Sequence, residues 1–148
     1  MKIVVRLLAL SAVVLIGTAQ PAFAGSTTHV SGGGTASISQ VAFNLSITPS
    51  GAASGSFECL MAGRSAFVLG AFGLSHIMAV HATPARGTVA GSVVTFSGPA
   101  RLIMDNGQHR DVHVAVWANA ATQQFQLTVV EVGTMPLEML STGQIALR

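Results

Sequence analysis

The chain is poor in the residues that most site chemistry needs. It has no tyrosine, one cysteine, one tryptophan and five acidic residues, and only 8% of its 148 positions are charged. With Cys59 alone, no internal disulfide can form, so the fold must rest on its apolar core even in an oxidising compartment. Glycoside hydrolysis needs two convergent carboxylates, and Glu58, Asp105, Asp111, Glu131 and Glu138 show no pairing along the sequence. The nucleophile elbow of serine hydrolases needs glycine on both sides of the serine; "GRSAF" and "GLSHI" both lack the second one. "SGGGT" at 31–35 lacks the Gly-Lys-Ser/Thr ending of a phosphate loop and precedes no helical pattern, so it reads as a flexible start to the mature chain.

Basic residues are as sparse as acidic ones, and two of the seven lie in the first 24 positions. There Lys2 and Arg6 precede an apolar run from Leu7 to Ile16 and then "AFA" at 22–24, the layout of a secretory signal cleaved near Ala24. The expected organisation is a signal peptide over 1–24 and a single β domain over 25–148, secreted or periplasmic. The apolar run is shorter than the roughly 20 residues of a spanning helix and no later run reaches that length, so the chain is not expected to be membrane-embedded. No cysteine follows the cleavage site to carry a lipid. Beyond it, arginines at 64, 86, 101, 110 and 148 balance the five acids. Scattered in this way, they do not form the basic surface that nucleic acid or an anionic membrane requires.

What the chain does have is alternation. "VAFNLSIT" places Val41, Phe43, Leu45 and Ile47 on one face and polar residues on the other, which is a half-buried strand. "SFECLMA" repeats the pattern with Phe57, Cys59 and Met61. The stretch 65–83 is more continuously apolar and reads as two strands, or one bent near Gly70 and Gly73, with a helix as the alternative. "GTVAGSVVTFSG" reads as two short strands around Ala90 to Ser92. "ARLIMDNGQHRDVHVAVWAN" reads as a hairpin about Asn106-Gly107, a dipeptide suited to a two-residue type I′ turn. "QFQLTVVEV" and "GQIALR" supply the last strands. The expected fold is all-β, a small antiparallel barrel or sandwich of about eight strands.

The "GGGT" start, "GSFECL", "VVTFSGPA", the valine-alternating strand over 112–116 and the closing "GQIAL" resemble the small exported bacterial β-domains of unknown function grouped with post-COAP-1 domains. The resemblance spans nearly all of the chain after residue 24. It departs from that pattern at "NAATQQF", where an Asp-Gly-Pro-Gly type of loop would stand. It implies an exported β-fold and brings no catalytic residues with it.

One cluster stands out, "HRDVH" at 109–113. On a strand His109, Asp111 and His113 share a face, but the two histidines lie about 13 Å apart at ~3.3 Å per residue, too far to converge on one ion. Only Asp111 with one of them could be part of a metal site, completed by ligands from elsewhere; the leading reading is a solvated strand face. A two-residue turn would set Met104 opposite His109, Leu102 opposite Asp111 and Ala100 opposite His113, which leaves neither face purely apolar. The valine face, with Arg101 near its end, is then the expected interior. The large rings Phe43, Phe57, Phe67, Phe72, Phe96, Phe125 and Trp117 suffice to fill a small barrel. Cys59, between Phe57 and Met61 on one face, reads as a buried thiol, with an intermolecular disulfide and a homodimer as the alternative.

The functional expectation is an exported, non-catalytic domain with an interaction or structural role, its partner an unidentified protein or surface, with no cofactor. The alternatives are a small barrel that carries an apolar ligand, and a metal-assisted enzyme using Asp111 with His109 or His113.

Overall fold

The alternation of the sequence becomes a single antiparallel sheet of eleven strands in the computed structural model, which describes residues 25–62, 77–104 and 107–148. Every regular element among these residues is a strand. Strands β1 (Thr28–Thr35), β2 (Ser39–Ile47), β3 (Ala53–Ala62) and β4 (Ile77–Ala82) pair in succession. The ladder continues from β4 to β6 (Val93–Met104), β7 (His109–Asn119) and β8 (Gln124–Val129). β5 (Arg86–Ala90) extends β4 along the same edge of β6, while β9 (Gly133–Thr134) and β10 (Glu138–Met139) share the free edge of β8. β11 (Gln144–Leu147) returns to pair with β1. Of the stretch 65–83, the last part forms β4; residues 65–76, with Phe67 and Phe72, lie outside the described residues.

Between β4 and β5, Thr83, Pro84 and Ala85 oppose only Gly98 and Pro99, which is a bulge. Proline cannot donate to the ladder, so a bulge is where a strand tolerates it. Thr83 N and Ala85 N still donate to Pro99 O and Ser97 O. The chain comes so close here that a Cβ on Gly98 would sit 2.3 Å from the Thr83 carbonyl oxygen.

The sheet curls until its two ends meet, giving a barrel-like shape. The four residues from Leu140 to Gly143 carry the chain from β10, at one end of the sheet, to β11, at the other. Leu140 N donates to Gln123 O on one side, and Ser141 N donates to Thr35 O on the other. Side chains complete the seam. Gln123 Oε1 accepts from Ile145 N at 2.7 Å while its Nε2 donates to Ile145 O at 3.1 Å, so one amide stands in for a missing strand pairing. Gln123 belongs to "NAATQQF", and it is the one non-glycine residue with positive φ among the described residues.

The inward face follows the period of two. Val41, Phe43, Leu45 and Ile47 of β2, Phe57, Cys59 and Met61 of β3, and Val112, Val114 and Val116 of β7 are all buried. At the centre Phe43, Phe57 and Phe96 pack as a triangle with ring centroids 5.6 to 6.2 Å apart. Such tilted ring pairs add to the burial of their area.

Three expectations change. The β6–β7 register is shifted by one residue from the two-residue turn: Arg101 faces Asp111, Ile103 faces His109, Pro99 faces His113, and Met104 N donates to Gln108 O. The shift segregates the faces, because Ala100 and Leu102 now turn inward with the valines while Arg101 turns out. A one-residue slip would reverse every side chain of the strand, so burial of this face outweighs the preference of the turn dipeptide. Gly107 has φ +75° in the resulting longer loop, whose residues Asp105 and Asn106 lie outside the described residues. Trp117 is not a core ring but lies half-buried on the outer face. The glycine run is strand β1, with Gly32 opposite Phe43; the Phe43 ring covers it so closely that a Cβ would fall 2.2 Å from Cζ.

Candidate functional site

Apart from buried Ser39 and Glu138 the interior is occupied by apolar side chains, and the exposed chemistry of the described residues lies on the outer face of the sheet. The register builds a charged row across four strands: Glu58 of β3 opposes His81 of β4, His81 opposes Arg101 of β6, and Arg101 opposes Asp111 of β7. His81 Nδ1 stands 3.6 Å from Glu58 Oε1, and Arg101 Nε stands 3.7 Å from Asp111 Oδ1. Both pairs are solvent-exposed, a setting in which an ion pair contributes about 0–1 kcal/mol. The row fixes a charge pattern on the surface and adds little stability.

His109, Asp111 and His113 all point outward and are exposed. The fold sends them to different partners, since Asp111 meets Arg101 and His113 meets Glu131. Among the described residues no group of three His, Cys, Asp or Glu side chains gathers closely enough to hold a metal ion. His76 lies outside the described residues.

Glu131 was not distinguished in the sequence from the other acids. It sits just past β8, where Val130 N donates to His113 O and brings the carboxylate back over β7. His113 N donates to Glu131 Oε2 at 2.9 Å, and His113 Nδ1 lies 3.0 Å from Oε1. The backbone N–H of His113 is the main cause that holds the Glu131 carboxyl below its ordinary range, and the imidazole adds to it. A carboxyl lowered in the folded state contributes stability above its unfolded pKa and loses it as pH falls through the folded value. Glu131 should therefore titrate below the ordinary glutamate range in a carbon-detected NMR titration. His113→Ala should raise its midpoint only part of the way back, because the stronger donor is backbone and survives the substitution. Full return to the ordinary value would show that the imidazole alone sets it.

Cys59 is buried at 1% exposure. Burial pushes its thiol up to about 12; the Ser39 hydroxyl lowers it somewhat and the Glu138 charge raises it. A thiol of that kind is a poor nucleophile at neutral pH. A thiol reagent is expected to label native protein slowly and denatured protein fully, with no disulfide-linked dimer on a non-reducing gel. Rapid native labelling would place Cys59 at the surface.

A second outer-face feature lies at the other end of β6 and β7. Trp117 stands in one row with Thr95 of β6, Thr88 of β5 and Gln126 of β8, and the next row runs Arg86, Ser97, Ala115 and Thr128. The short side chains of Ser97 and Ala115, with Gly87 at the margin, leave a groove of about 530 Å³ beside the indole. No helix of the described residues is long and apolar enough to cross a membrane. No family model, curated protein or solved structure matches this chain.

Proposed function

We propose that this chain is an exported, non-catalytic interaction domain that engages its partner through the outer face of the curled sheet. The supporting observation is the division of labour between the two faces. The inward face is given over to apolar packing, from Val30 through the phenylalanine triangle to Ile145, with Ser39 and Glu138 the buried polar exceptions among the described residues. The outward face carries the charged row, the His113–Glu131 pair and the only tryptophan. The resemblance to small exported β-domains agrees with the export half of this reading, and the leader-like segment over 1–24 supplies the route.

The test is a photo-crosslinking residue placed at Arg101 or at Gln126 in cells that export the protein. A discrete adduct from at least one of these outer positions is expected. No adduct from either would contradict the proposal.

A further inference from the structure

We infer that the groove beside Trp117 is a binding site for an acidic polysaccharide, with a sugar ring stacked on the indole and a carboxylate held by Arg86. The inference rests on the interaction reading above and names the ligand class for one part of that face.

The other aromatic rings among the described residues, Phe43, Phe57, Phe96 and Phe125, are all buried. Trp117 alone is presented outward, held between Thr95 and Gln126 by the sheet itself. An indole on a rigid sheet is a large amphipathic platform that loses little entropy when a flat apolar surface covers it. The C–H face of a pyranose is such a surface.

The surroundings suit a polyhydroxylated partner. The large exposed apolar side chains, Leu60, Ile77, Val130, Leu137 and Met139, all lie outside this groove. What flanks the indole instead is a set of hydroxyls and an amide already held in place. Thr88 and Thr95 share a hydrogen bond at 2.7 Å, and Thr128 and Thr134 share one at 3.0 Å. Gln126 Nε2 donates to Met135 O at 3.0 Å, which orients the amide and leaves Oε1 as an acceptor. Prealigned donors and acceptors of this type match sugar hydroxyls at low ordering cost.

Charge selects within the class. Arg86 is the only charged residue lining the groove, and it has no ion-pair partner among the described residues. A guanidinium recognises a carboxylate by paired N–H donors. From the register, its Cα lies two strands across and two residues along from that of Trp117, roughly 12 Å away at standard sheet spacings. A short oligosaccharide running diagonally over Ala115 and Ser97 covers that span. One cation is too few for the phosphate backbone of a nucleic acid.

Because Trp117 is the only tryptophan and the chain has no tyrosine, indole fluorescence reports on this groove alone. The experiment is a titration of the folded protein with polygalacturonate oligomers, alginate oligomers and cellotriose as the neutral control. Saturable change in Trp117 emission is expected with at least one acidic oligomer, at least tenfold weaker with cellotriose. Arg86→Ala should remove that acidic preference. Trp117→Ala, monitored by calorimetry because the fluorophore is gone, should abolish binding while circular dichroism stays that of the folded protein. Equal affinity for cellotriose, no response to either acidic oligomer, or undiminished binding by Trp117→Ala would each overturn the assignment. A crosslinked protein adduct at Arg101 alongside a silent titration would leave the interaction reading standing and remove only the polysaccharide.

Discussion

Replacing Glu138 with alanine is expected to lower unfolding free energy by about 3 kcal/mol, from the cost of losing hydrogen bonds to a charged acceptor. Glu138 is 1% exposed, and its carboxylate accepts from Ile38 N at 2.9 Å and from Ser39 Oγ at 2.9 and 3.0 Å. β10 carries this side chain at one end of the sheet, and its donors stand at the start of β2, near the other end. The interaction therefore clasps the curled sheet across its seam. Alanine would leave the amide of Ile38 and the hydroxyl of Ser39 without their acceptor in a place water reaches poorly. Glu138→Gln keeps one acceptor oxygen and should lose roughly half as much. Thermal denaturation should show the alanine variant melting about 10 °C lower. A loss below about 1 kcal/mol, the net value of one ordinary hydrogen bond, would show that the carboxylate does not hold the seam.

The second large effect belongs to Phe57, which has no exposed surface and touches both Phe43 and Phe96. Phe57→Ala should cost about 3–5 kcal/mol, the lost transfer energy of the ring plus the cavity it leaves. A dry apolar cavity of that size takes small apolar molecules, as engineered cavities in other cores do. Benzene or indole should accordingly raise the melting temperature of the variant, by ligand linkage, and leave the parent unchanged. If the parent is stabilised to the same extent, the interior already has room for a ligand, and an apolar-carrier function would replace the outward-facing one. Phe57→Leu provides the same comparison with a smaller cavity, should the alanine variant fail to fold.

The sequence was most legible where side chains alternate. β2, β3 and β7 can be read from Val41 to Ile47, Phe57 to Met61 and Val112 to Val116, because period-two burial is imposed by the pleat itself. The β6–β7 register was harder. The Asn106-Gly107 dipeptide argues locally for a two-residue turn, whereas the observed register satisfies the faces of two long strands at once. Strand β1 was hidden for a different reason: a glycine run has no side chains to alternate, and the cover it needs arrives from Phe43 on the neighbouring strand.

At the site, parity along β7 placed His109, Asp111 and His113 on one face, and that grouping holds. Their partners could not be read, because Arg101 comes from the preceding strand in a register the turn obscured and Glu131 folds back after β8. Glu138 had no local signal at all. Its donors lie 99 and 100 residues earlier, and nothing in the segment around it distinguishes a buried carboxylate from a solvated one. Gln123 was equally silent, an ordinary polar residue in a polar loop until the two ends of the sheet are seen to meet at its amide.

The most direct test of the outward-facing account is hydroxyl-radical footprinting of Trp117, compared between the protein in the cell that produces it and the purified protein. The account predicts that the indole is oxidised readily in the purified protein and strongly protected in the cell, while exposed Met139 at the sheet edge, away from the groove, is oxidised equally in both. Equal oxidation of Trp117 in the two settings would contradict it, since nothing would then be covering the face on which the account rests.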